Sequence, residues 1–138
     1  MDEIEALKDV CVDTDVIVDY LRGREPGRSA FTKWRKKAEM YITSITAFEL
    51  LLGASLSSKR EKRIIEIESL LDQYNILNLT RETAKKAAEK GAGLRAKDIQ
   101  INIRDLFNAS ICLARKTPIL TKNKTRYERV RDLTVLTP

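Results

Sequence analysis

Val10-Cys11-Val12-Asp13 is a short apolar run that stops at an acid and turns at once into a helical repeat. Three small or β-branched apolar residues without polar alternation predict a strand buried on both faces, the pattern of a central strand in a parallel sheet. Val16, Ile17, Tyr20 and Leu21 then recur at helical spacing, so the strand passes directly into a helix. Parallel neighbours need long crossovers, usually helical, which restricts the chain to a sheet covered by helices. Asp13 falls at the carboxyl end of this strand, where open α/β sheets place their ligands. An Asp here also suits a helix cap, and either Asp13 or Asp15 fits that role.

The rest of the chain continues the alternation. Residues 1–9 are a charged lead-in with room for a helical turn, and Arg22 to Gly27 make a turn. A helix is expected from about Arg28 to Ala38, a strand over Met40–Thr43, and a helix over about Ala47–Leu56 with Ser44 or Thr46 as its cap. Lys59–Tyr74 is amphipathic, with Ile64, Ile67, Leu70 and Leu71 on one side. Ile76–Leu79 reads as a strand, and Thr80 caps a helix running to the Gly91-Ala92-Gly93 break or past it. A polar connection from Arg95 to Ile103 precedes a helix over Asp105–Ala114. Ile119–Thr121, a short helix around Tyr127, and Thr134–Leu136 complete the pattern. Strands alternating with helices, without repeats or linkers, predict one α/β domain over residues 1–138: a three-layer α/β/α sandwich on a mostly parallel five-stranded sheet.

Two further acids sit in apolar helices. Ala47-Phe48-Glu49-Leu50-Leu51-Leu52 is apolar nearly all round, which predicts a buried helix whose single charge, Glu49, needs a partner. Glu49 either belongs to a functional site, or it reaches solvent or pairs with a nearby Arg. Asp105 opens the helix Asp105-Leu106-Phe107-Asn108-Ala109, a place the helix dipole favours in any case. Asn108 lies one turn along the same face, so two polar groups point together from an otherwise apolar helix.

Composition narrows the chemistry. The 138 residues include no His, which excludes a Ser-His-Asp or Cys-His site and any zinc site built on His. Cys11 and Cys112, each in an apolar run, read as buried thiols. Chemistry here falls to carboxylates, and carboxylates acting together imply a hard metal ion. Lys and Arg outnumber Asp and Glu, 26 to 20, a balance that favours polyanionic partners. No apolar run approaches the roughly 20 residues of a membrane span, and the acidic start lacks a signal-peptide profile. A cytoplasmic location is expected.

Four stretches in order, Val12-Asp13-Thr14-Asp15-Val16, Ile42-Thr43-Ser44-Ile45-Thr46-Ala47-Phe48-Glu49-Leu50, Ile101-Asn102-Ile103-Arg104-Asp105-Leu106-Phe107-Asn108-Ala109 and Ile119-Leu120-Thr121-Lys122-Asn123, resemble the PIN domain. Their spacing is most similar to VapC toxins of toxin–antitoxin pairs. The resemblance implies a Mg2+- or Mn2+-dependent ribonuclease, with RNA as substrate, a small VapB-like antitoxin as partner and a homodimeric state. It places Asp13, Glu49 and Asp105 in the metal cluster and Asn123 at a fourth catalytic position. Thr14, Asp15, Thr46, Asn108 and Thr121 are then candidates to orient those acids and their waters. Two residues depart from the family pattern. Asp15 stands where Asn is usual, and Asn123 is neutral where relatives often carry Asp.

Two other readings compete. Asp13-Thr14-Asp15 also fits the opening of haloacid-dehalogenase-like phosphatases, with Asp13 as nucleophile, although Ile119–Lys124 offers no late acidic pair. A non-catalytic RNA- or protein-binding module, its acids serving only as caps, is the third.

Overall fold

The computed structural model describes residues 8–138; the helical turn expected at the start of the chain lies outside them for residues 1–7. Five strands, β1 (Asp9–Val12), β2 (Glu39–Thr43), β3 (Asn75–Leu77), β4 (Ile119–Leu120) and β5 (Val135–Leu136), form one sheet in the order β3-β2-β1-β4-β5. Every pairing is parallel. Among the described residues, six helices flank it: α1 (Thr14–Arg22), α2 (Gly27–Lys37), α3 (Ser44–Leu56), α4 (Arg60–Asp72), α5 (Arg81–Ala96) and α6 (Ile103–Arg115). The three-layer architecture expected from the alternation is the one observed.

The side chains of β1 divide by strand period. Val10 and Val12 join Ile42, Leu120, Phe31 and Trp34 in the larger core, while Cys11 turns to the other face with Ile119, Ala109 and Cys112. Both cysteines are buried and free. With β1 in the middle, the chain runs outward through β2 and β3, then returns to β4 on the opposite side. The carboxyl ends of β1 and β4 therefore flank the topological switch point, the crevice where α/β sheets bind ligands.

Two expectations need correction. The helix over Glu49 is not buried all round: Phe48, Leu52 and Leu56, spaced four apart, form an exposed stripe on α3, with Leu56 79% accessible. Only Thr46, Leu50 and Ala54 of that helix are buried. The helix begins at Ser44 and is capped by Thr43, whose hydroxyl accepts from the Thr46 N–H at 3.0 Å. The second correction is that the connection expected from Arg95 begins only after Ala96; of the two ends left open for the helix before it, the one past the glycines is observed. α5 passes through both glycines to Ala96, because its small residues let it approach α6: a Cβ on Gly91 would lie 3.0 Å from the Leu106 side chain. Packing of Ala87 and Leu94 against Leu106 outweighs the cost of about 1 kcal/mol for each helical glycine.

Candidate active site

Asp13 follows β1 and is nearly inaccessible. Its backbone N–H donates to the Leu120 carbonyl at 2.9 Å, so the β1–β4 ladder places it. It is also the cap of α1, Oδ1 accepting from the Thr14 N–H at 2.9 Å. Oδ2 accepts from the Thr121 hydroxyl at 2.8 Å. The cap reading and the site reading thus describe one side chain.

Asp105 reaches the same crevice from the first turn of α6, a helix capped by Asn102. The two buried carboxylates share one cation. Arg126 donates through Nε to Asp105 Oδ2 at 3.2 Å and through Nη2 to Oδ1, while its Nη1 lies 3.5 Å from Asp13 Oδ2. The Tyr127 hydroxyl sits 3.5 Å from Asp105 Oδ1. Asn108 donates to that hydroxyl at 3.4 Å and accepts from the Thr43 hydroxyl at 2.6 Å.

Glu49 joins this group through Thr14. The Thr14 hydroxyl donates to Glu49 Oε1 at 3.1 Å and lies 3.4 Å from the Thr46 hydroxyl. Arg104 Nη1 is 3.6 Å from Glu49 Oε2, so an arginine lies beside this carboxylate. Asp15 accepts from the Lys122 N–H at 3.1 Å and from the Thr121 hydroxyl at 3.3 Å, tying α1 to the segment after β4. Asn123 is exposed. Its N–H donates to the Thr121 hydroxyl at 3.1 Å, and its side-chain oxygen accepts from Thr125 at 2.6 Å. The fold brings Asp13, Asp105, Glu49, Thr14, Asp15, Thr46, Asn108 and Thr121 into one hydrogen-bonded region, and leaves the Asn123 side chain at its rim.

Burial pushes the Asp13 carboxyl up to about 6, and the nearby Asp15 charge adds to this. Arg126, Thr121 and the Thr14 N–H pull the other way without cancelling it. The hydrogen bond to Asp105 raises Arg126, and burial raises Tyr127, so both keep their protons at neutral pH. A set of carboxylates and hydroxyls suits a hard divalent ion, which needs few protein ligands because it keeps several waters. Two buried carboxylates already facing one cation fit such an ion. Among the described residues, no three acids stand close enough together to enclose one as they are. A cavity of about 960 Å3 between α5 and α6 is lined by neither Asp13, Glu49 nor Asp105.

Nothing in the sequence marks Arg126. It stands among Lys122, Lys124, Arg129 and Arg131, any of which carries the same charge. Only the single 3₁₀ turn Lys124–Arg126, followed by buried Tyr127, aims it inward. Lys122 was equally unmarked. Its Nζ lies 3.0 Å from Asp19 Oδ2, an atom that also accepts from the Gly27 N–H at 3.0 Å. Gly27 is required there, since a Cβ would come within 2.4 Å of Asp19 Cβ. Burial pushes the Asp19 carboxyl up, but the Lys122 and Gly27 donors outweigh it and hold the group below its ordinary value.

A depressed folded pKa contributes stability above the unfolded value of about 3.9, and that stability is lost as pH falls through the folded pKa. Asp19→Asn is therefore expected to lower stability at pH 7 by about 1 to 3 kcal/mol, the range for breaking a buried charged hydrogen bond. The gap to the unsubstituted protein should shrink at pH values below about 3.9. Urea unfolding at pH 7 and along an acid series checks this, and equal stability at pH 7 would refute it.

Asp13 at the carboxyl end of β1 and Asp105 at the start of α6 meet one guanidinium beside the switch point of a parallel α/β domain. The PIN domain matches residues 10–133, and the chain belongs to that family. A VapC ribonuclease of Rickettsia bellii is 30% identical over 129 residues, covering 91% of this chain and 93% of that protein. A VapC ribonuclease of Pyrococcus furiosus is 36% identical over 95 residues, 69% of this chain and 62% of that one. In three dimensions the chain is similar to a crystal structure of VapBC2 from Rickettsia felis bound to promoter DNA. The TM-score is 0.84 at 21% identity, over 94% of this chain and 98% of that one.

Proposed function

We propose that this chain is a VapC-type endoribonuclease that hydrolyses RNA phosphodiesters with a divalent ion, Mg2+ or Mn2+, held by Asp13, Asp105 and Glu49. The observation that supports the assignment of residues most directly is the convergence of Asp13 and Asp105, 92 positions apart, on a single cation. When bound, such an ion supplies hydroxide at neutral pH and neutralises charge developing on the phosphate. The chain's own residues prepare the place. Thr121 and the Thr14 N–H fix both oxygens of Asp13. Thr14 aims Glu49, and Tyr127, itself held by Asn108, aims Asp105. Asn123 acts from the rim, as a neutral group that carries no share of the ion's charge. Arg104 borders the crevice beside Glu49, and the chain's excess of positive charge favours an RNA backbone.

The same reading makes the protein a toxin restrained by a small VapB-like antitoxin, acting on RNA in the cytoplasm as a homodimer. Family membership supports the antitoxin and the RNA. Among the described residues, no helix is long and apolar enough to cross a membrane. Membership in the PIN family also displaces the phosphatase and binding-module readings.

The test is incubation of the full chain with a set of defined RNAs in Mg2+, in Mn2+ and in chelator. Cleavage of at least one RNA that requires the metal is expected. Cleavage that persists undiminished in chelator, or no cleavage of any RNA, would refute the reading.

A further inference from the structure

We propose that Arg126 is a built-in counter-ion for the Asp13–Asp105 pair, and that a divalent ion enters this site by exchange with its guanidinium. The inference rests on the metal-dependent reading above. Both oxygens of Asp105 are taken by the Arg126 fork, through Nε and Nη2. Asp13 Oδ1 is held by the Thr14 N–H, and Oδ2 is shared between Thr121 and Arg126 Nη1. An ion approaching Asp105 therefore competes with the guanidinium at both carboxylate oxygens.

Charge points the same way. The pair carries two negative charges in a buried setting, with side chains 0% and 6% exposed. One guanidinium offsets half of that charge. A divalent ion added with Arg126 still in place would set like charges against each other at hydrogen-bonding distance, where a low dielectric makes repulsion strong. Displacement removes that repulsion. The side chain has a way out to solvent, being 30% exposed. Its backbone stays anchored by buried Tyr127 and by the N–H of Arg126 donating to the Asn123 carbonyl at 3.2 Å. Arg126 thus satisfies two buried acids when no ion is bound, and competes with the ion when one arrives.

The experiment is calorimetric titration of Mn2+ into the full chain, Arg126→Gln and Arg126→Lys, with melting temperatures of each protein with and without Mn2+. Arg126→Gln should bind Mn2+ about tenfold or more tightly than the unsubstituted protein, as expected for removal of a charge-assisted bidentate competitor. Its metal-free form should melt lower, and Mn2+ should raise its melting temperature more than that of the unsubstituted protein. Arg126→Lys keeps a charge but loses the fork, so its affinity should fall between the two. Should Arg126→Gln fail to fold without metal, Arg126→Lys decides the matter alone. Mn2+ binding that is unchanged or weaker in the folded variants overturns the exchange, as does an absence of binding in all three proteins. Metal-dependent cleavage by the unsubstituted chain is read separately, so loss of the exchange and loss of the nuclease reading are distinct results.

Discussion

Asp13→Asn and Asp105→Asn should each reduce metal-dependent RNA cleavage by about a thousandfold or more, the scale on which removal of a principal electrostatic group acts. Their effects on the metal-free protein should differ in sign. Asp13 has a folded pKa near 6, above its unfolded value. Such a group stabilises the fold only while protonated, and that contribution is lost as pH rises through about 6. At pH 7 the carboxylate is held ionised at a cost, next to Asp15 and away from water. Asp13→Asn relieves that cost and still offers an oxygen to Thr121, so the metal-free variant should be more stable by about 1 to 3 kcal/mol. Asp105 is the opposite case, because it carries the bidentate contact to Arg126. Asp105→Asn breaks that contact and should destabilise the metal-free protein by about 1 to 3 kcal/mol. Single-turnover cleavage with saturating Mg2+ and thermal unfolding in chelator at pH 7 measure both effects. Full activity in either variant would remove that residue from the site. A less stable Asp13→Asn protein would mean that its link to Arg126 outweighs the burial penalty.

Asn108→Leu should destabilise the protein by about 2 to 4 kcal/mol, a large effect for a change that keeps the side chain's branching and heavy-atom count. Asn108 is buried on α6 and joins three separate elements: β2 through Thr43, α6 itself, and Tyr127 after β4. The Thr43 hydroxyl already accepts from the Thr46 N–H, so losing Asn108 strands its proton in a buried place. The Tyr127 hydroxyl loses its donor as well. Its remaining neighbour is Asp105, so the acid nearest to Arg126 loses part of its support. Cleavage should therefore fall along with stability, through kcat more than KM, because Asn108 touches a carboxylate's support and no exposed surface. Urea unfolding at pH 7 tests the stability term. A loss under about 0.5 kcal/mol, the level of ordinary surface substitutions, would show that the network is dispensable.

The order of strands and helices, the buried parallel strand at Val10–Val12 and the acids at element ends were all legible along the chain, because each depends on local periodicity and capping. The family resemblance added what periodicity lacks, the grouping of Asp13, Glu49 and Asp105. Local signals also misled. An apolar helix around Glu49 suggested burial on every side, whereas α3 lies over the sheet with its Leu50 face and leaves the Phe48, Leu52 and Leu56 stripe outward. Hydrophobicity states what a helix tends to bury, and the packing of its neighbours settles what it does bury.

The pairing of charges was wholly a tertiary matter. Arg126, Arg104 and Lys122 look like any of the chain's other cations, since charge carries no periodic mark in a sequence. Each finds its acid only because the β1–β4 switch point brings the ends of α1, α3 and α6 and the turn before Tyr127 into one crevice. The sequence by itself determined a parallel α/β domain with acids at the carboxyl edge of its sheet. The tertiary structure decided which cation those acids hold, because burial and a few ångströms of distance set the strength of an ion pair.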